Sequence, residues 1–556
     1  MRYFFALSVL ILTALLFSAG CIAESDEYLL PSTDVLNDTL DKFLQSIGDK
    51  AVDANERLTA FAHNVESADT PKEIENVVTD FYIDNIKLSY AAYYDSVNGE
   101  TYVSPYFNTS GDYTKKIFED VTFDGCDTKL YGPIFTKHHG TLCAFVHPVY
   151  NDGKVTGVVA GYNDPIAYVT DSALECGGLN SLGPLILDSE GYVFYSSFAT
   201  DIGGNVYNFF AKSNKYSLAK NMAENETGVS EVFEGYTPGL VIDMVKRQAV
   251  WKTVSVCGKD LRVAVISSEE TPELSADYVP DYKAMENAVR EVYIYAFTHG
   301  KDKTVEALND GTFSYKDFDV CAFDVDGTIL ASQKRPYQVG YNFNNWRSAY
   351  GVKTVETWGD IAQTSGGGYH YFTISSSEDP TEKEGTLCAS YVMAVDSDWY
   401  LVSLIPAQAE RVPVNIGIKN SLLETMQAAL KMLTDYKQSA FDMFMNREGT
   451  ELEGNSHEIM VLDKDGFVLS SNIPYLKVGT NALSLTDYST GISLTRLLIL
   501  KAESGRGFTS ADFYDEKNNE EYSAVLYVEP LKDGRFIVVS EKASRFDSHK
   551  KQYLGW

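Results

Sequence analysis

The chain has 556 residues, which is enough for several modules with their own hydrophobic cores. Its formal net charge is −32 at pH 7, from 46 basic and 78 acidic residues. Proteins that bind nucleic acid present basic surfaces to the phosphates, so this charge argues against a nucleic-acid partner.

The N-terminus carries a targeting segment. Arg2 precedes an apolar run from Tyr3 to Phe17, and small residues lead from Ser18 to Cys21. This pattern resembles a lipobox, which implies that residues 1–21 are a lipoprotein-type signal peptide and that Cys21 is lipidated. An uncleaved anchor and plain secretion stay open as alternatives. All three place the rest of the chain outside the cytoplasm, and the lipid anchor implies the outer face of the cell membrane.

The first predicted element is a long helix over residues 33–65, with Asp34 as a candidate N-cap. Its apolar residues recur at helical spacing, as in Leu36, Leu40 and Phe43. The segment after it, residues 81–170, alternates strands with Gly- and Asn-containing turns and predicts an antiparallel sheet.

One phrase then occurs three times: an apolar strand, an Asp-x-x-Gly turn and a second apolar strand. The copies begin at Leu187, Phe323 and Leu462, with turn aspartates Asp188, Asp324 and Asp463. A Gly-x-Asn phrase follows each copy at nearly constant distance, ending at Asn205, Asn342 and Asn481. Two linked motifs repeated at a domain-sized interval indicate domain duplication.

The helix before a copy and the strands after it recur as well. Long helices are predicted over residues 284–308 and 421–445, before the second and third copies. After each copy, a variable stretch leads to a hairpin and a closing strand, over residues 261–267, 399–404 and 535–540. The predicted fold class is therefore α+β, built from antiparallel sheets that each follow a long helix.

Seven cysteines are present, and six remain once Cys21 is set aside. An even count outside the cytoplasm favours disulfides. Order along the chain suggests Cys126–Cys143, Cys176–Cys257 and Cys321–Cys388, although six cysteines allow fifteen pairings and buried free thiols stay open. No metal-ligand spacing occurs among the cysteines and histidines, so we expect neither a metal site nor a cofactor.

The ordered set of long helix, Asp-x-x-Gly hairpin, Gly-x-Asn turn and closing strands resembles Cache domains, the PAS-like extracytoplasmic sensor modules of chemoreceptors and sensor kinases. The resemblance implies a double Cache at 33–268, with a distal module at 81–170 and a proximal module at 183–268. It implies single Cache-like domains at 281–406 and 414–545. The amino-acid-binding constellation of double-Cache receptors is not found in residues 81–170, which contain no Arg or Trp.

In this family the ligand lies on one sheet face beneath the variable stretch, and the resemblance places a pocket in residues 281–406. Seven residues are candidates there, because a guanidinium beside tyrosine hydroxyls suits a small carboxylate. They are Arg335, Tyr337, Trp346, Arg347, Tyr369, Tyr371 and Tyr391. Four tyrosines are the candidates in the distal module: Tyr94, Tyr106, Tyr131 and Tyr162. Core packing is the alternative interpretation of each tyrosine, and a surface salt bridge is the alternative interpretation of Arg347.

An enzyme is the main alternative. The stretch from Phe323 to Leu330 matches the first motif of haloacid-dehalogenase-type phosphatases, in which Asp324 would attack phosphorus and Asp326 would act as general acid. The first copy of the phrase disfavours this interpretation, because it lies in the same register and has Glu190 where the second Asp is needed. That fold also requires strand–helix–strand crossovers, which the alternating strands do not predict.

The sequence therefore predicts a non-enzymatic, lipid-anchored, extracytoplasmic protein that binds a small molecule and has no output domain of its own. Such a protein would act through a separate transmembrane signalling or transport partner. A transport-associated solute-binding lipoprotein and a ligand-free envelope scaffold are the remaining alternatives.

Overall fold

The computed structural model describes residues 32–543, except 105–111, 124–126, 137–139, 166–168, 170–171, 173–182, 197–201, 208–213, 234–245, 267–277, 316–317, 333, 335–337, 375–382, 416, 488–489 and 516–519. The proposed signal peptide and Cys21 lie outside these residues. Within the described ranges, no helix is both long and apolar enough to cross a membrane.

The described part of the chain combines helices with antiparallel sheets. Its α-helices are α1 (Thr33–Glu66), α2 (Pro71–Asp84), α3 (Asp112–Asp120), α4 (Asn214–Glu224), α5 (Tyr282–His299), α6 (Lys301–Asn309), α7 (Thr354–Ser365), α8 (Gly417–Tyr436), α9 (Ala440–Met445) and α10 (Leu494–Ser504).

Four sheets follow one another along the chain. The first contains β1 (Leu88–Asp95), β2 (Glu100–Ser104), β3 (Lys129–Thr136), β4 (Gly140–Asn151) and β5 (Lys154–Asn163), and the second contains β6 (Leu185–Asp188), β7 (Val193–Ser196), β8 (Gly228–Phe233), β9 (Lys246–Val256) and β10 (Lys259–Ile266). The third contains β11 (Val320–Asp324), β12 (Ile329–Ala331), β13 (Gly367–Ile374), β14 (Glu384–Ala394), β15 (Trp399–Pro406) and the short β16 (Val412–Pro413). The fourth contains β17 (Glu458–Leu462), β18 (Val468–Ser471), β19 (Gly507–Asp515), β20 (Glu520–Pro530) and β21 (Phe536–Lys542).

All four sheets have the same strand order. The first strand of each sheet lies between the second and the fifth, and the fourth and third follow, as in β2-β1-β5-β4-β3. Every pairing is antiparallel. The predicted α+β fold class is thus confirmed, and the divergent first sheet has the same topology as the three recognised copies.

Helix α1 supports two sheets at once. Its buried stripe, which includes Leu36, Phe43 and Phe61, packs in one core with Phe145 of the first sheet and Val263 of the second. The prediction of this helix is confirmed to within one residue, because the apolar spacing of its stripe is read directly from the sequence. Its N-cap is Ser32 rather than Asp34, which lies in the first turn.

The two later long helices are each interrupted. Gly300, at φ +81°, separates α5 from α6, and residues 437–439 form a 3₁₀ turn between α8 and α9. A glycine takes this left-handed conformation at little cost, and the chain changes direction there. Both helices were predicted as single elements, and this was wrong because apolar spacing continues across each break.

The three repeated turns have the same hydrogen bonds. In each, the aspartate Oδ1 accepts from the backbone N–H groups two and four residues later, at 3.0 and 2.9 Å for Asp188 and Asp324 and at 3.0 and 2.8 Å for Asp463. The turn glycines Gly191, Gly327 and Gly466 have φ between +82° and +83°. The phrase therefore encodes a tight hairpin through short-range backbone bonding.

The Gly-x-Asn phrase clamps the same hairpin. The Nδ2 groups of Asn205, Asn342 and Asn481 donate to the carbonyls of residues 190, 326 and 465 at 2.9, 2.6 and 3.4 Å. Their Oδ1 atoms accept from the N–H groups two residues later. The two phrases recur together because one contacts the other.

The same geometry gives the phosphatase alternative no support. The Oδ1 atom of Asp324 is held by its own turn, and β11 pairs directly with the antiparallel β12 rather than crossing over through a helix. Among the described residues, no group of three or more His, Cys, Asp or Glu side chains is placed to hold a metal ion.

The expected disulfide between Cys321 and Cys388 is wrong. Cys388 is a buried free thiol on β14, whereas Cys321 lies on β11, and β15 separates these strands. Two strand spacings amount to roughly 9–10 Å, beyond the reach of a disulfide. Cys143 and Cys257 are free thiols as well, and their expected partners Cys126 and Cys176 lie outside the described residues.

Candidate functional site

The residues expected to form a pocket in the third sheet do not converge. Tyr369, Tyr371 and Tyr391 share one face, as strand alternation predicts, but this face is covered by α5. The Tyr369 hydroxyl donates to Glu286 of α5 at 3.1 Å. These tyrosines therefore belong to the core between the sheet and α5, and Arg335 and Tyr337 lie outside the described residues.

The opposite face of the third sheet is filled by aromatic side chains. Trp358 of α7 is 1% exposed and lies edge-on to Phe323 and Phe372. Trp346 joins this cluster, with ring centroids 5.6 Å from Trp358 and 5.7 Å from Phe372. The prediction that Trp346 and the tyrosines line one pocket was wrong, because they lie on opposite faces of the sheet.

Arg347 connects two sheets. Its Nη2 forms an ion pair with Asp164, which directly follows β5 of the first sheet, and its Nη1 donates to the carbonyl of Gly351 at 3.1 Å. Asn345 adds a second link, because its Oδ1 accepts from the N–H of Thr141 in β4 at 3.2 Å. The guanidinium that was expected to bind a carboxylate ligand is thus engaged by a carboxylate of the same chain.

The tyrosines expected in the first sheet do come together. Tyr131, Ala144, Tyr162 and Tyr90 are consecutive partners across β3, β4, β5 and β1, and so form one row across the sheet. The row lies on the face opposite α1, in a cluster that also contains Tyr94. Tyr106 lies outside the described residues.

Helix α3 covers this face and provides hydrogen-bond partners. The Tyr162 hydroxyl lies 2.8 Å from Thr114 Oγ1, and the Tyr131 hydroxyl donates to Asp120 Oδ2 at 2.8 Å. The Tyr94 ring contacts Phe118, with centroids 5.4 Å apart. We call this arrangement the tyrosine face: Tyr90, Tyr94, Tyr131 and Tyr162 of the first sheet, roofed by Thr114, Phe118 and Asp120 of α3.

Small side chains occupy the middle of the tyrosine face. Ala92, Ala144 and Ala160 are fully buried in the same cluster and lie beside the tyrosine row. An alanine between two tyrosines leaves the hydroxyl ends standing above the sheet floor. The face is therefore apolar at its base, and its hydroxyls reach polar partners on the roof helix.

Burial keeps the tyrosine hydroxyls neutral. It raises the pKa of Tyr162 above its ordinary value of 10, and burial together with the hydrogen bond to Asp120 raises the pKa of Tyr131 to about 12. A protonated hydroxyl can both donate and accept a hydrogen bond. The face can therefore orient a polar ligand without carrying a charge of its own on the sheet side.

Sequence reasoning missed four members of this site: Tyr90, Thr114, Phe118 and Asp120. Tyr90 precedes Tyr94 by four residues on one strand, so strand alternation could have placed both on one face. Thr114 and Asp120 belong to a short helix, and no motif in the sequence assigns it to the sheet. Only the tertiary structure shows that α3 is the roof.

A second polar cluster lies between α7 of the third sheet and α10 of the fourth. Lys501 Nζ lies 2.9 Å from Glu356 Oε2, and Ser504 donates to Glu356 Oε1 at 3.2 Å. Burial lowers the pKa of Lys353 to about 7 and raises that of Asp360 to about 7. Burial would raise the pKa of Glu356, but Lys501 and Lys353 outweigh it and hold this pKa at about 2. The cluster ties the third sheet to the fourth.

No family model and no curated protein matches the chain. Among solved structures, the chain is similar to an extracellular ligand-binding receptor from Desulfohalobium retbaense, with 17% identity, a TM-score of 0.32, and 43% of this chain and 41% of that chain covered. It is similar to the ligand-binding domain of the amino-acid chemoreceptor PctB of Pseudomonas aeruginosa in complex with L-Arg, with 12% identity, a TM-score of 0.33, and 42% and 94% covered. It is also similar to the periplasmic sensory domain of the Campylobacter jejuni chemoreceptor Tlp1, with 12% identity, a TM-score of 0.32, and 42% and 94% covered. The chain thus spans less than half the length of the Desulfohalobium receptor, and the three structures are an extracellular ligand-binding receptor, a chemoreceptor ligand-binding domain and a periplasmic sensory domain.

Proposed function

We propose that this protein is an extracytoplasmic, lipid-anchored sensor that binds a small polar molecule at the tyrosine face and transmits binding through a partner. The supporting observation is the row of neutral hydroxyls on an otherwise apolar sheet, beneath the separate helix α3. The hydroxyls of Tyr131 and Tyr162 could exchange their partners on α3 for groups of a ligand, because each buried hydroxyl needs a hydrogen-bond partner.

The chemistry of the face favours a ligand that brings hydrogen-bond donors. Asp120 supplies a carboxylate beside the hydroxyls, and the side chains of Lys115 and Lys116 on α3 are exposed rather than turned toward the sheet. Arg347, the cation that would favour a carboxylate ligand, is paired with Asp164. We therefore propose an amine- or hydroxyl-bearing metabolite in place of the small carboxylate first expected.

The modules of the chain would have different functions in such a sensor. Residues 33–268 would form the double module that senses the ligand, and the units at 281–406 and 414–545 would transmit or support the bound state. Arg347 and Asp164 join the sensing unit to the third sheet, so a change at the end of β5 would reach it directly. A separate membrane protein would receive the signal.

Binding to the full chain tests the proposal. Thermal-shift screening against amines, polyols and amino-bearing metabolites should give a ligand, and isothermal titration should then show that Tyr162→Phe weakens it about tenfold, since one hydrogen bond in a buried site contributes about 1 kcal/mol or more. Tyr391→Phe is the matched control, because it removes a hydroxyl from the helix-covered face of the third sheet. Equal weakening by both variants, or a ligand that neither variant affects, would contradict this site.

A further inference from the structure

A separate cavity lies between α2 and the fourth sheet. Its volume is about 640 Å³, which is within the usual range for small-molecule sites. Helix α2 contributes Thr79, Tyr82 and Ile83, and the remaining walls come mainly from α8, α10 and the turn between β20 and β21. The cavity therefore exists only when the fourth sheet is docked against α2.

The walls of this cavity are largely apolar. The hydrophobic side chains that line it include Ile83, Leu430, Leu433, Ile499, Leu531 and Phe536. Such walls favour a ligand with an apolar body, because each buried CH₂ group gains about 0.8 kcal/mol relative to water.

The charges around the cavity differ from those of the chain as a whole. Four basic residues line it, Lys437, Lys464, Lys532 and Arg535, against the two acidic residues Glu503 and Glu529. In the whole chain, acidic residues outnumber basic ones by 78 to 46. A concave surface lined by one sign of charge concentrates ligands of the opposite sign.

Acidic side chains of the chain itself lie beside three of these four basic residues. Lys464 pairs with Asp465 at 3.2 Å, but both side chains are more than 60% exposed, and such pairs are weak. Arg535 pairs with Asp533, and its Nη1 donates to Gln438 at 3.2 Å. Burial and the neighbouring Lys72 lower the pKa of Lys532, whereas Glu75 and Asp80 raise it, so a bound anion would share these basic side chains with carboxylates of the chain.

The floor of the cavity is neutralised internally. Glu529 is 1% exposed, its Oε1 accepts from the Tyr82 hydroxyl at 2.6 Å, and its Oε2 lies 3.6 Å from Arg506 Nη1. The Arg506 guanidinium also stacks on the Tyr82 ring at 3.5 Å. The acidic floor residue thus has its own cation, and the basic side chains at the rim decide which charge the cavity attracts.

We infer that this cavity binds an amphiphilic anion, with its apolar body against the hydrophobic walls and its carboxylate or phosphate head among Lys437, Lys464, Lys532 and Arg535. The site is distinct from the tyrosine face and does not depend on it. Because α2 and the fourth sheet both form the site, a bound anion stabilises their contact.

Titration calorimetry on the full chain tests this inference, with octanoate and octyl phosphate as probes. We expect one saturable site, with at least tenfold weaker binding of octylamine, which has the same body and the opposite charge. The tighter of the two anions identifies the head group. The absence of saturable anion binding, or equal binding of octylamine, overturns the inference.

Charge reversal locates the site. Lys464→Glu/Lys532→Glu changes two exposed side chains of the rim and should weaken octanoate at least tenfold. Lys42→Glu/Lys303→Glu makes the same change in net charge at exposed positions of α1 and α6, and should leave the affinity within twofold. Equal losses in the two double variants would place the anion elsewhere, and Tyr162→Phe, which tests the tyrosine face, should not alter octanoate binding.

Discussion

The guanidinium of Arg347 and the carboxylate of Asp164 form an ion pair between residues 183 positions apart in the sequence. Their side chains are only 19% and 8% exposed. Arg347 follows the Gly-x-Asn turn of the third sheet, and Asp164 directly follows β5 of the first sheet. A strand that underlies the tyrosine face is therefore connected directly to the module of the third sheet.

Removing one partner of this pair should destabilise the contact between the two sheets. Asp164→Asn removes the carboxylate charge that faces the largely buried Arg347. We therefore expect the free energy of unfolding to fall by about 3 kcal/mol in the transition that includes the third sheet. Urea unfolding followed by circular dichroism and fluorescence measures this, with Arg347→Met and the double variant completing a cycle. The exposed pair of Lys464 and Asp465 is the control, and Asp465→Asn should cost less than about 0.5 kcal/mol. A loss as small as this at Asp164 would show that the pair does not hold the sheets together.

The pKa of Asp360 predicts a pH dependence of stability. Burial raises this pKa from 3.8 to about 7, with Glu356 adding to the rise and Lys501 opposing it. The folded chain therefore holds this proton to higher pH than the unfolded chain does, so its contribution to stability is complete below about pH 4 and is lost as the pH rises through 7.

Asp360→Asn removes this dependence. The variant and the parent should have similar free energies of unfolding near pH 4, and the variant should be about 2 kcal/mol more stable near pH 8. Denaturant titrations at several pH values between 4 and 8 measure the difference, and Asp38→Asn on the exposed side of α1 corrects for the loss of one charge. A difference between Asp360→Asn and parent that does not change over this range would show that Asp360 is ionised in the folded state throughout.

Cys143 and Cys388 should react with a thiol reagent only after the protein unfolds. Cys388 is 1% exposed and Cys143 is 4% exposed, and burial raises the pKa of each thiol to about 12. Because the thiolate is the reactive form, iodoacetamide at pH 8 should label neither residue in the native protein and both in guanidinium chloride without reductant. Peptide mass spectrometry reads this out. Labelling that requires a reductant would mean that disulfides form at these positions.

Two glycines of the third module, one in each repeated turn, allow a matched comparison of alanine substitutions. Gly327 and Gly340 have φ values of +82° and +89°, so alanine is strained by about 1 kcal/mol or more at either position. A Cβ at Gly327 would also lie 2.1 Å from Oδ1 of the buried Asn344, whereas at Gly340 it would meet nothing within 4 Å. Gly327→Ala should therefore lower the melting temperature of the third module more than Gly340→Ala does. Equal effects would show that backbone strain alone accounts for both.

The local features of the fold could be read from the sequence. An Asp that bonds backbone groups two and four residues later, and a Gly at positive φ, are requirements of one five-residue turn, so the pattern predicts the turn wherever it occurs. The stripe of Leu36, Leu40 and Phe43 likewise predicts α1, because helical spacing is a property of consecutive residues. Strand alternation correctly placed Tyr369 and Tyr371 on one face.

The sequence did not show which partner covers each face. Alternation places two tyrosines together but does not decide whether α5 or α7 packs over them, because both sides of a buried sheet are apolar. The pairing of Cys321 with Cys388 depended on strand order, which brings β15 between them. Arg347 was read as a ligand contact because its partner, Asp164, lies far away along the chain.

The sequence by itself thus determined the repeat, its turns and helix α1, since these follow from hydrogen bonds and spacing within a few residues. The tertiary structure decided the sites, since each is assembled from segments that are distant in sequence. The tyrosine face forms because α3 covers the first sheet, and the cavity with four basic lining residues forms because α2 packs against the fourth sheet. The physical reason is that local backbone bonding is fixed by neighbouring residues, whereas burial and charge pairing depend on which surfaces meet after folding.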